Sequence, residues 1–218
     1  MAIDRLNAAL VTGVPGCNWI VRFEDSGHVE VGSAADLDRI DSPGEGYVWL
    51  HLDAIDRRSG DILRGVKSLT PAAREVLSGD PNHPFVEFAD RLVFGALVDH
   101  SHSMDGPQED TDYLRFACGP GFVITGRRIP LCSADATRRA LADGARAAAP
   151  VALFDLLVAN LCKCSGALMR EVAATLDRIE DNVVIEGRGR DQRASLGRAR
   201  RSAVRLARHA TGLQSTLE

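Results

Sequence analysis

The chain has 218 residues, of which 45% are hydrophobic and 5% aromatic, enough for one large domain with an aliphatic core. Its net charge of −4 combines −7 in residues 1–150 with +3 in residues 151–218. The sequence has no signal-peptide pattern, no C-x-x-C pair among its five cysteines and no glycine-rich phosphate loop, which argues against a secreted protein, a ribbon-type zinc domain and a nucleotide-binding enzyme and favours a reducing cytoplasm.

Short strands and short helices alternate through the first 150 residues. Residues 47–53 (YVWLHLD) form a nearly continuous apolar run, typical of a strand that is buried on both faces. A polar loop is expected at residues 100–111. Strands are predicted at residues 17–23, 28–31, 47–53, 85–88, 91–99, 112–118 and 121–127, and helices at residues 34–40, 57–66, 70–79 and 133–144. We therefore predict an α/β domain over residues 1–150, a mixed β-sheet flanked by helices.

Residues 151–218 carry no strand pattern and are predicted to form two long helices that follow the α/β domain. In the first helix, over residues 151–184, apolar residues recur every 11 positions, the period of a nearly straight helix. These residues are Leu157, Leu168 and Ile179, and Leu161, Val172 and Val183. Glycines at positions 187 and 189 then end the helix.

The last helix has the most regular pattern in the sequence. Its small and apolar residues alternate in steps of three and four, as do the a and d positions of a coiled coil. This helix seam consists of Leu196, Ala199, Ala203, Leu206, Ala210, Leu213 and Leu217. The opposite face carries a basic stripe of Arg198, Arg201, Arg205 and Arg208. Because alanine buries little surface, this helix needs a long partner, either the preceding helix or another chain.

Four side chains near residue 100 form the best candidate for a metal site: Asp99, His100, His102 and Asp105. If the preceding strand continues, the two histidines point to the same side of it. Imidazole and carboxylate ligands suit zinc. The sequence therefore suggests a zinc site, and the alternative is an ordinary polar loop tip.

Other reactive side chains are interpreted as structural. Cys162 and Cys164 are two positions apart on a helix and do not share a face, and Cys164 is interpreted as a small packing residue. His51, inside the apolar strand, is interpreted as a hydrogen-bonded core histidine. Enzyme motifs such as G-x-S-x-G and H-E-x-x-H are missing, so no catalytic residue is predicted.

The basic stripe has three possible explanations. It could be an ordinary solvated helix face. It could bind nucleic acid, but such sites usually include aromatic side chains, and the last helix has none. It could lie next to a membrane, where cytoplasmic segments are enriched in arginine. The third explanation fits a basic, heptad-patterned helix best.

The order of these segments resembles the cytoplasmic region of the CorA superfamily of divalent metal-ion transporters, and most of all its ZntB-like zinc-transporter branch. The resemblance covers about residues 45–217, and no single segment is diagnostic. The colinear segments are VWLHLDAID (48–56), TPAAREVLSGD (70–80), HPFVEFADRLVFGALV (83–98), EDTDYLRFACGPGFVITGRR (109–128), LDRIEDNVV (176–184) and the arginine-rich last helix.

The resemblance implies that the last helix is a stalk leading to transmembrane helices beyond residue 218. It also implies a homopentamer that forms a funnel at the cytoplasmic face of the cell membrane, where metal occupancy or subunit packing regulates or feeds the pore. Zinc is then the expected transported or regulatory ion, with no organic cofactor, no enzymatic activity and no nucleic-acid partner. The alternative is a free-standing soluble coiled-coil protein that binds nucleic acid or acidic lipid through its arginine-rich helix. A thiol- or metal-dependent enzyme is a more distant alternative.

Overall fold

The computed structural model describes residues 13–42, 44–103, 106–186 and 193–217, with the side chains of all of these except residues 106–109, 183–186 and 217. The strands are β1 (Cys17–Phe23), β2 (Val29–Val31), β3 (Tyr47–Asp53), β4 (Phe85–Ala89), β5 (Leu92–Ser103), β6 (Gly106–Gly119) and β7 (Phe122–Arg127). The α-helices are α1 (Arg57–Gly65), α2 (Pro71–Ser78), α3 (Cys132–Ala142), α4 (Pro150–Glu186) and α5 (Arg193–Leu217), and a short 3-10 helix (Ala34–Arg39) follows β2.

The strands form a seven-stranded mixed sheet in the order β2-β1-β3-β7-β6-β5-β4. Among the described strands, β3 and β7 pair in parallel and every other pair is antiparallel. Helices flank this sheet, and the two long helices follow it in the chain. The predicted fold class is therefore confirmed.

Both faces of the sheet are covered, and β3 is an interior strand between β1 and β7. Tyr47 and Trp49 point into a core formed with α3 and α4. Val48, Leu50 and Leu52 point into a second core formed with α1 and α2. All five side chains are buried. The continuous apolar run in the sequence therefore reflects a strand with no solvated face, as predicted.

The two short helices on the second face begin where their capping residues predict. Asp56 caps α1 by accepting a hydrogen bond from the backbone N–H of Arg58, and Thr70 caps α2 by accepting one from that of Ala73. Pro71 occupies the first turn of α2, where its missing N–H costs no helical hydrogen bond. These caps orient both helices so that their leucines pack against the sheet.

β5 and β6 extend through the segment that was predicted to be a polar loop at residues 100–111. β5 runs to Ser103 and β6 begins at Gly106. His100 pairs with Thr111 and His102 with Pro107, and a β-bulge separates the two pairs. The loop prediction was wrong because α3 and α5 cover this end of β5. Polar residues are therefore buried there, and no alternation of polar and apolar residues marks the strand.

α4 is the longest helix and crosses one face of the sheet. Leu153, Leu157 and Leu161 are buried against that face, and Leu168 and Ile179 are buried further along. The predicted row of Leu157, Leu168 and Ile179 is therefore confirmed. Of the second row, Leu161 is buried, Val172 is half-buried, and the side chain of Val183 lies outside the described residues. The segment Pro150–Asn182 is long and apolar enough to cross a bilayer by length and composition, and its first part packs against the sheet through the three leucines Leu153, Leu157 and Leu161.

α5 packs along α4 and touches β4 and β5, on a face turned slightly from the predicted helix seam. The buried and half-buried residues of this face are Ala199, Ser202, Leu206, His209 and Leu213. Leu196 and Ala210 are exposed, Ala203 is partly exposed, and the side chain of Leu217 lies outside the described residues. A serine and a histidine, rather than two alanines, thus lie on the packed face, which hydrophobic spacing alone cannot reveal. The four arginines of the basic stripe are exposed.

Replacing Leu206 with alanine tests which face of α5 is packed. Leu206 is 4% exposed, so Leu206→Ala should lower the free energy of unfolding by about 2–4 kcal/mol. Val204 lies on the same helix but is 45% exposed, and Val204→Ala should change it by less than about 0.5 kcal/mol. Urea denaturation measures both changes. Equal losses in the two variants would contradict the observed packing of α5.

Candidate functional site

The polar end of β5 meets the start of α3. The backbone N–H of His102 donates to the carbonyl oxygen of Pro130 at 2.9 Å, and Ser101 forms a β-bridge with Leu131. These bonds align the segment before α3 with the last residues of β5. α3 therefore begins at Cys132, with Leu131 in the N-cap position, and not at a Ser133 cap as the sequence suggested.

Asp99 anchors this junction. Its Oδ2 atom accepts hydrogen bonds from the Ser133 backbone N–H at 2.9 Å and from the Ser133 hydroxyl at 2.6 Å. Its Oδ1 atom accepts one from the His100 backbone N–H at 2.7 Å. The side chain is fully buried, and burial raises the pKa of Asp99 to about 6 although these hydrogen bonds oppose the shift. Ser133 is used to satisfy this carboxylate, which explains why it does not cap α3.

His100 connects this junction to the last helix. Its ring is buried and lies 5.9 Å from the ring of His209 on α5, centroid to centroid. Burial lowers the pKa of His209, and the nearby Arg205 cation lowers it further, so this imidazole is neutral at pH 7. A pair of imidazoles from two different elements therefore lies at the contact between the sheet and α5.

The side chain of His102 lies apart from this pair, among arginines. Its Nε2 atom accepts a hydrogen bond from the guanidinium group of Arg139. Burial lowers the pKa of His102, and the Arg139 cation lowers it further. Close by, Arg127 forms an ion pair with Asp135 at 3.2 Å. The surroundings of His102 are thus basic, which disfavours a bound cation.

The predicted metal site is only partly assembled by the fold. Asp99 already accepts three hydrogen bonds from protein donors, and the β-bulge separates His100 from His102. Asp105 lies outside the described residues. Within the described ranges, no group of three or more His, Cys, Asp or Glu side chains is placed to hold a metal ion. His209 is not among the residues predicted for this site, because nothing in the pattern of its helix indicates that it faces a histidine about 110 residues earlier.

His51 has the structural role that the sequence predicted. Its Nδ1 atom lies 2.7 Å from the Thr125 hydroxyl, which also accepts a hydrogen bond from the Trp49 indole at 2.8 Å. Its ring stacks on Trp19 at 3.9 Å between centroids. Burial holds the pKa of His51 well below its usual value, and nearby arginine cations add to the effect. It is a neutral core residue.

Cys164 is not the simple packing residue that the sequence suggested. It forms a disulfide with Cys132, which joins α4 to the first residue of α3. The two cysteines are 32 positions apart, and the spacing carries no signal of pairing. The prediction was wrong because their proximity depends on how α4 packs against α3.

The arrangement as a whole is an α/β domain whose sheet supports a long helix pair through a polar junction. The family described as CorA-like Mg²⁺ transporter protein matches residues 44–218 of this chain. The match covers most of the sequence, and the chain belongs to this family. None of the curated proteins matches it.

Solved structures support the same fold. Full-length CmaX superimposes with a TM-score of 0.77 at 18% identity, over 92% of this chain and 62% of that one. The ZntB cytoplasmic domain from Vibrio parahaemolyticus RIMD 2210633 gives 0.68 at 15% identity, over 91% and 77%. The soluble domain of CorA from Methanocaldococcus jannaschii gives 0.57 at 10% identity, over 80% and 66%. At these identities the likeness concerns the fold alone, and the chain spans 62% of the CmaX chain.

Replacing Asp99 with asparagine should change how stability depends on pH. The pKa of Asp99 is about 6 in the folded protein, against an ordinary value of 3.8. Between these values the folded state holds the extra proton, so this group makes the free energy of unfolding fall as pH rises from about 4 to 6. His51, His102 and His209, whose pKa values are lowered, act in the opposite direction below pH 6.5.

The difference between wild type and variant isolates the Asp99 contribution from that of the histidines. Relative to Asp99→Asn, the wild type should lose roughly 2–3 kcal/mol of stability between pH 4 and pH 7. Urea titrations followed by the fluorescence of the two tryptophans measure this difference. A constant difference across the range would show that Asp99 titrates normally in the folded state.

Proposed function

We propose that the intact protein is a divalent metal-ion transporter of the ZntB-like branch of the CorA superfamily, and that this chain is its cytoplasmic domain. The family match over residues 44–218 carries this proposal. Zinc as the transported ion rests on the resemblance of the segments within residues 45–217 to the ZntB-like branch. The domain has no enzymatic role in this proposal and needs no organic cofactor.

α5 is the stalk helix of the proposed transporter. It is 25 residues long, or roughly 37 Å at 1.5 Å per residue, which is enough to separate the sheet from a membrane surface. Its basic stripe is exposed, and arginines at the cytoplasmic side of a membrane are attracted to anionic lipid headgroups. This arrangement supports placement of the domain at the cytoplasmic face of the cell membrane.

The part of the helix seam that its own chain leaves uncovered supports self-association. Leu196, Ala203 and Ala210 recur every seven residues and are exposed or partly exposed in the single chain. Small residues at such spacing allow close approach of helices from other copies. We propose that five copies pack their α5 helices along this row to form the funnel of a homopentamer.

The imidazole pair at the junction is the proposed place where zinc acts on the domain. His100 and His209 are 5.9 Å apart between ring centroids, and zinc bound between the two imidazoles would hold α5 against β5. The ion would thereby favour one arrangement of the stalk over another, by as much as its affinities for the two differ. For His102 and Asp99 to act as further ligands, they would have to exchange their hydrogen bonds with Arg139 and Ser133 for the ion. Asp105 is the last of the proposed ligands.

Ion flux through the full-length protein tests the transport proposal. The protein would be purified with its membrane part, reconstituted into liposomes, and assayed for uptake of Zn²⁺, Co²⁺ and Mg²⁺ with fluorescent indicators. We expect zinc uptake that exceeds magnesium uptake. Faster magnesium uptake would reject the ZntB-like assignment but keep the family. An absence of all uptake, together with tight binding of DNA, would favour the nucleic-acid-binding alternative.

Calorimetry with zinc tests the junction site. His209→Ala should weaken zinc binding to the chain by about tenfold or more, the loss expected when a metal site is disrupted. His28→Ala is the matched control, because His28 is exposed on the β1–β2 turn, and its zinc affinity should equal that of the wild type. The His100→Ala/His102→Ala double variant tests the β5 ligands. If His209→Ala and the double variant both bind zinc as tightly as the control, the junction is excluded as a zinc site.

The basic stripe predicts how the isolated chain responds to salt. Copies that pack side by side bring their arginine stripes together, and this repulsion reaches about 30 Å at 0.01 M salt but only about 8 Å at 0.15 M. Self-association should therefore increase at higher salt and higher protein concentration. Sedimentation velocity at two salt concentrations measures it. A complex that dissociates as salt rises would show instead that opposite charges hold the copies together.

A further inference from the structure

The disulfide between Cys132 and Cys164 lies at a mechanically important position. The two Cα atoms are 6.4 Å apart, and the residues are 4% and 6% exposed. Cys132 is the first residue of α3, and Cys164 lies near the middle of α4. Cys17, Cys118 and Cys162 carry thiols.

The bond closes the contact between α3 and α4 at its far end. One turn earlier along α4, the Asn160 side-chain amide donates to the Thr137 hydroxyl at 3.0 Å. Both groups are buried. The two helices run antiparallel here, since Asn160 pairs with the middle of α3 and Cys164 with its first residue. A buried hydrogen bond and a disulfide thus connect the two helices one turn apart along the same interface.

α4 leaves the α/β domain just beyond this bond. Before it, Leu153, Leu157 and Leu161 are buried against the sheet. After it, Leu168 and Ile179 are the buried residues in the described part of α4. The remainder of the helix packs mainly on α5. The bond therefore lies where α4 passes from the sheet to α5, while α5 keeps its own contacts with β4 and β5.

The other end of the bond belongs to the polar junction. Cys132 precedes Ser133, whose N–H and hydroxyl both bind Asp99. The next residue of the strand, His100, faces His209 on α5. Ser133 and Asp99 thus connect Cys132 to His100, and His100 contacts α5 through the ring of His209.

We propose that Cys132 and Cys164 form a reversible redox modification site, and that a dithiol reductant opens it and loosens α4 and α5 from the α/β domain. A thiolate of the reductant attacks one sulfur and releases the other cysteine as a thiol. The second thiol of the reductant then attacks the reductant's own sulfur in the mixed disulfide and displaces the remaining cysteine sulfur, which leaves two cysteine thiols and an oxidised, cyclic reductant. Two electrons and two protons pass from the reductant to the protein, and a disulfide oxidant reverses the reaction.

The reversibility expected of this bond depends on a cytoplasmic location, and that location is the one point that rests on the proposed function. Permanent disulfides are rare in the cytoplasm, where those present are usually transient or redox-sensing. The chemistry itself does not depend on transport. Thiol counting and hydrogen–deuterium exchange therefore test it without a transport assay, and their failure would leave the transport proposal untouched.

Burial of both sulfurs predicts that the rate of reduction depends on the α3–α4 contact. A thiolate must approach along the S–S axis, which requires α4 to move away from α3. Asn160→Ala removes the neighbouring hydrogen bond but keeps both cysteines, so its disulfide should be reduced faster by dithiothreitol than that of the wild type. Equal rates would contradict this route of access.

Thiol counting decides whether the bond forms and is reversible. The chain would be purified without reductant, denatured, and alkylated with a maleimide. Mass spectrometry should find three alkylated cysteines, and five after the native protein has been treated with dithiothreitol. Circular dichroism should show that the reduced protein remains folded. Five alkylated cysteines before reduction, or a bond that yields only after unfolding, would overturn the proposal.

Hydrogen–deuterium exchange decides whether the bond restrains the helices. Reduction should accelerate exchange in residues 165–182 by about tenfold or more, and lower the melting temperature by about 10 °C. Cys132→Ser and Cys164→Ser should reproduce both effects without reductant. Cys162→Ser is the matched control, because Cys162 is exposed on the same helix, and it should behave as the wild type. Unchanged exchange after complete reduction would show that the bond restrains nothing.

Discussion

The structure depends on one constraint: the interior strand β3 must be covered on both sides. β3 has large apolar side chains on both of its faces, and exposing either face would cost several kcal/mol of hydrophobic free energy. α1 and α2 cover one face, and α3 and α4 cover the other. The parallel pairing of β3 with β7 follows naturally, because strands buried on both faces are typical of parallel sheets with helices on each side.

The covering of the second face brings a long helix into the domain. The N-terminal half of α4 fills the core with leucines, and its C-terminal half continues past the sheet and packs against α5. One continuous helix thereby belongs both to the domain and to the helix pair. A displacement of α4 on the sheet is therefore transmitted along the helix, because an α-helix is far stiffer along its axis than a loop would be.

Buried polar groups determine where the helices contact the sheet. Asp99 holds the start of α3, and the Thr125 hydroxyl joins Trp49 to His51. On the other side of the sheet, the buried guanidinium of Arg115 donates to the carbonyl oxygen of Gly79 and orders the end of α2. Each polar group has a specific partner, so these contacts select one register of helices on the sheet. The junction of β5, α3 and α5 combines such contacts with the imidazoles of His100 and His209 and with the Cys132–Cys164 disulfide, and the proposed effects of zinc and of reductants both act there.

The sequence by itself determined the local features of this protein. The apolar run of β3, the Thr70–Pro71 helix start and the 11-residue spacing along α4 each depend on residues close together in the chain, and all three are confirmed. Only the tertiary structure decided that β5 and β6 continue through a polar segment, that Cys132 reaches Cys164, and that His209 faces His100. The tertiary structure also decided which face of α5 is packed. Two adjacent rows of side chains along this helix have similar spacing, and the contacts with α4 and β5 determine which row is buried. These features arise from contacts between residues far apart in the chain, where neither periodicity nor capping carries information.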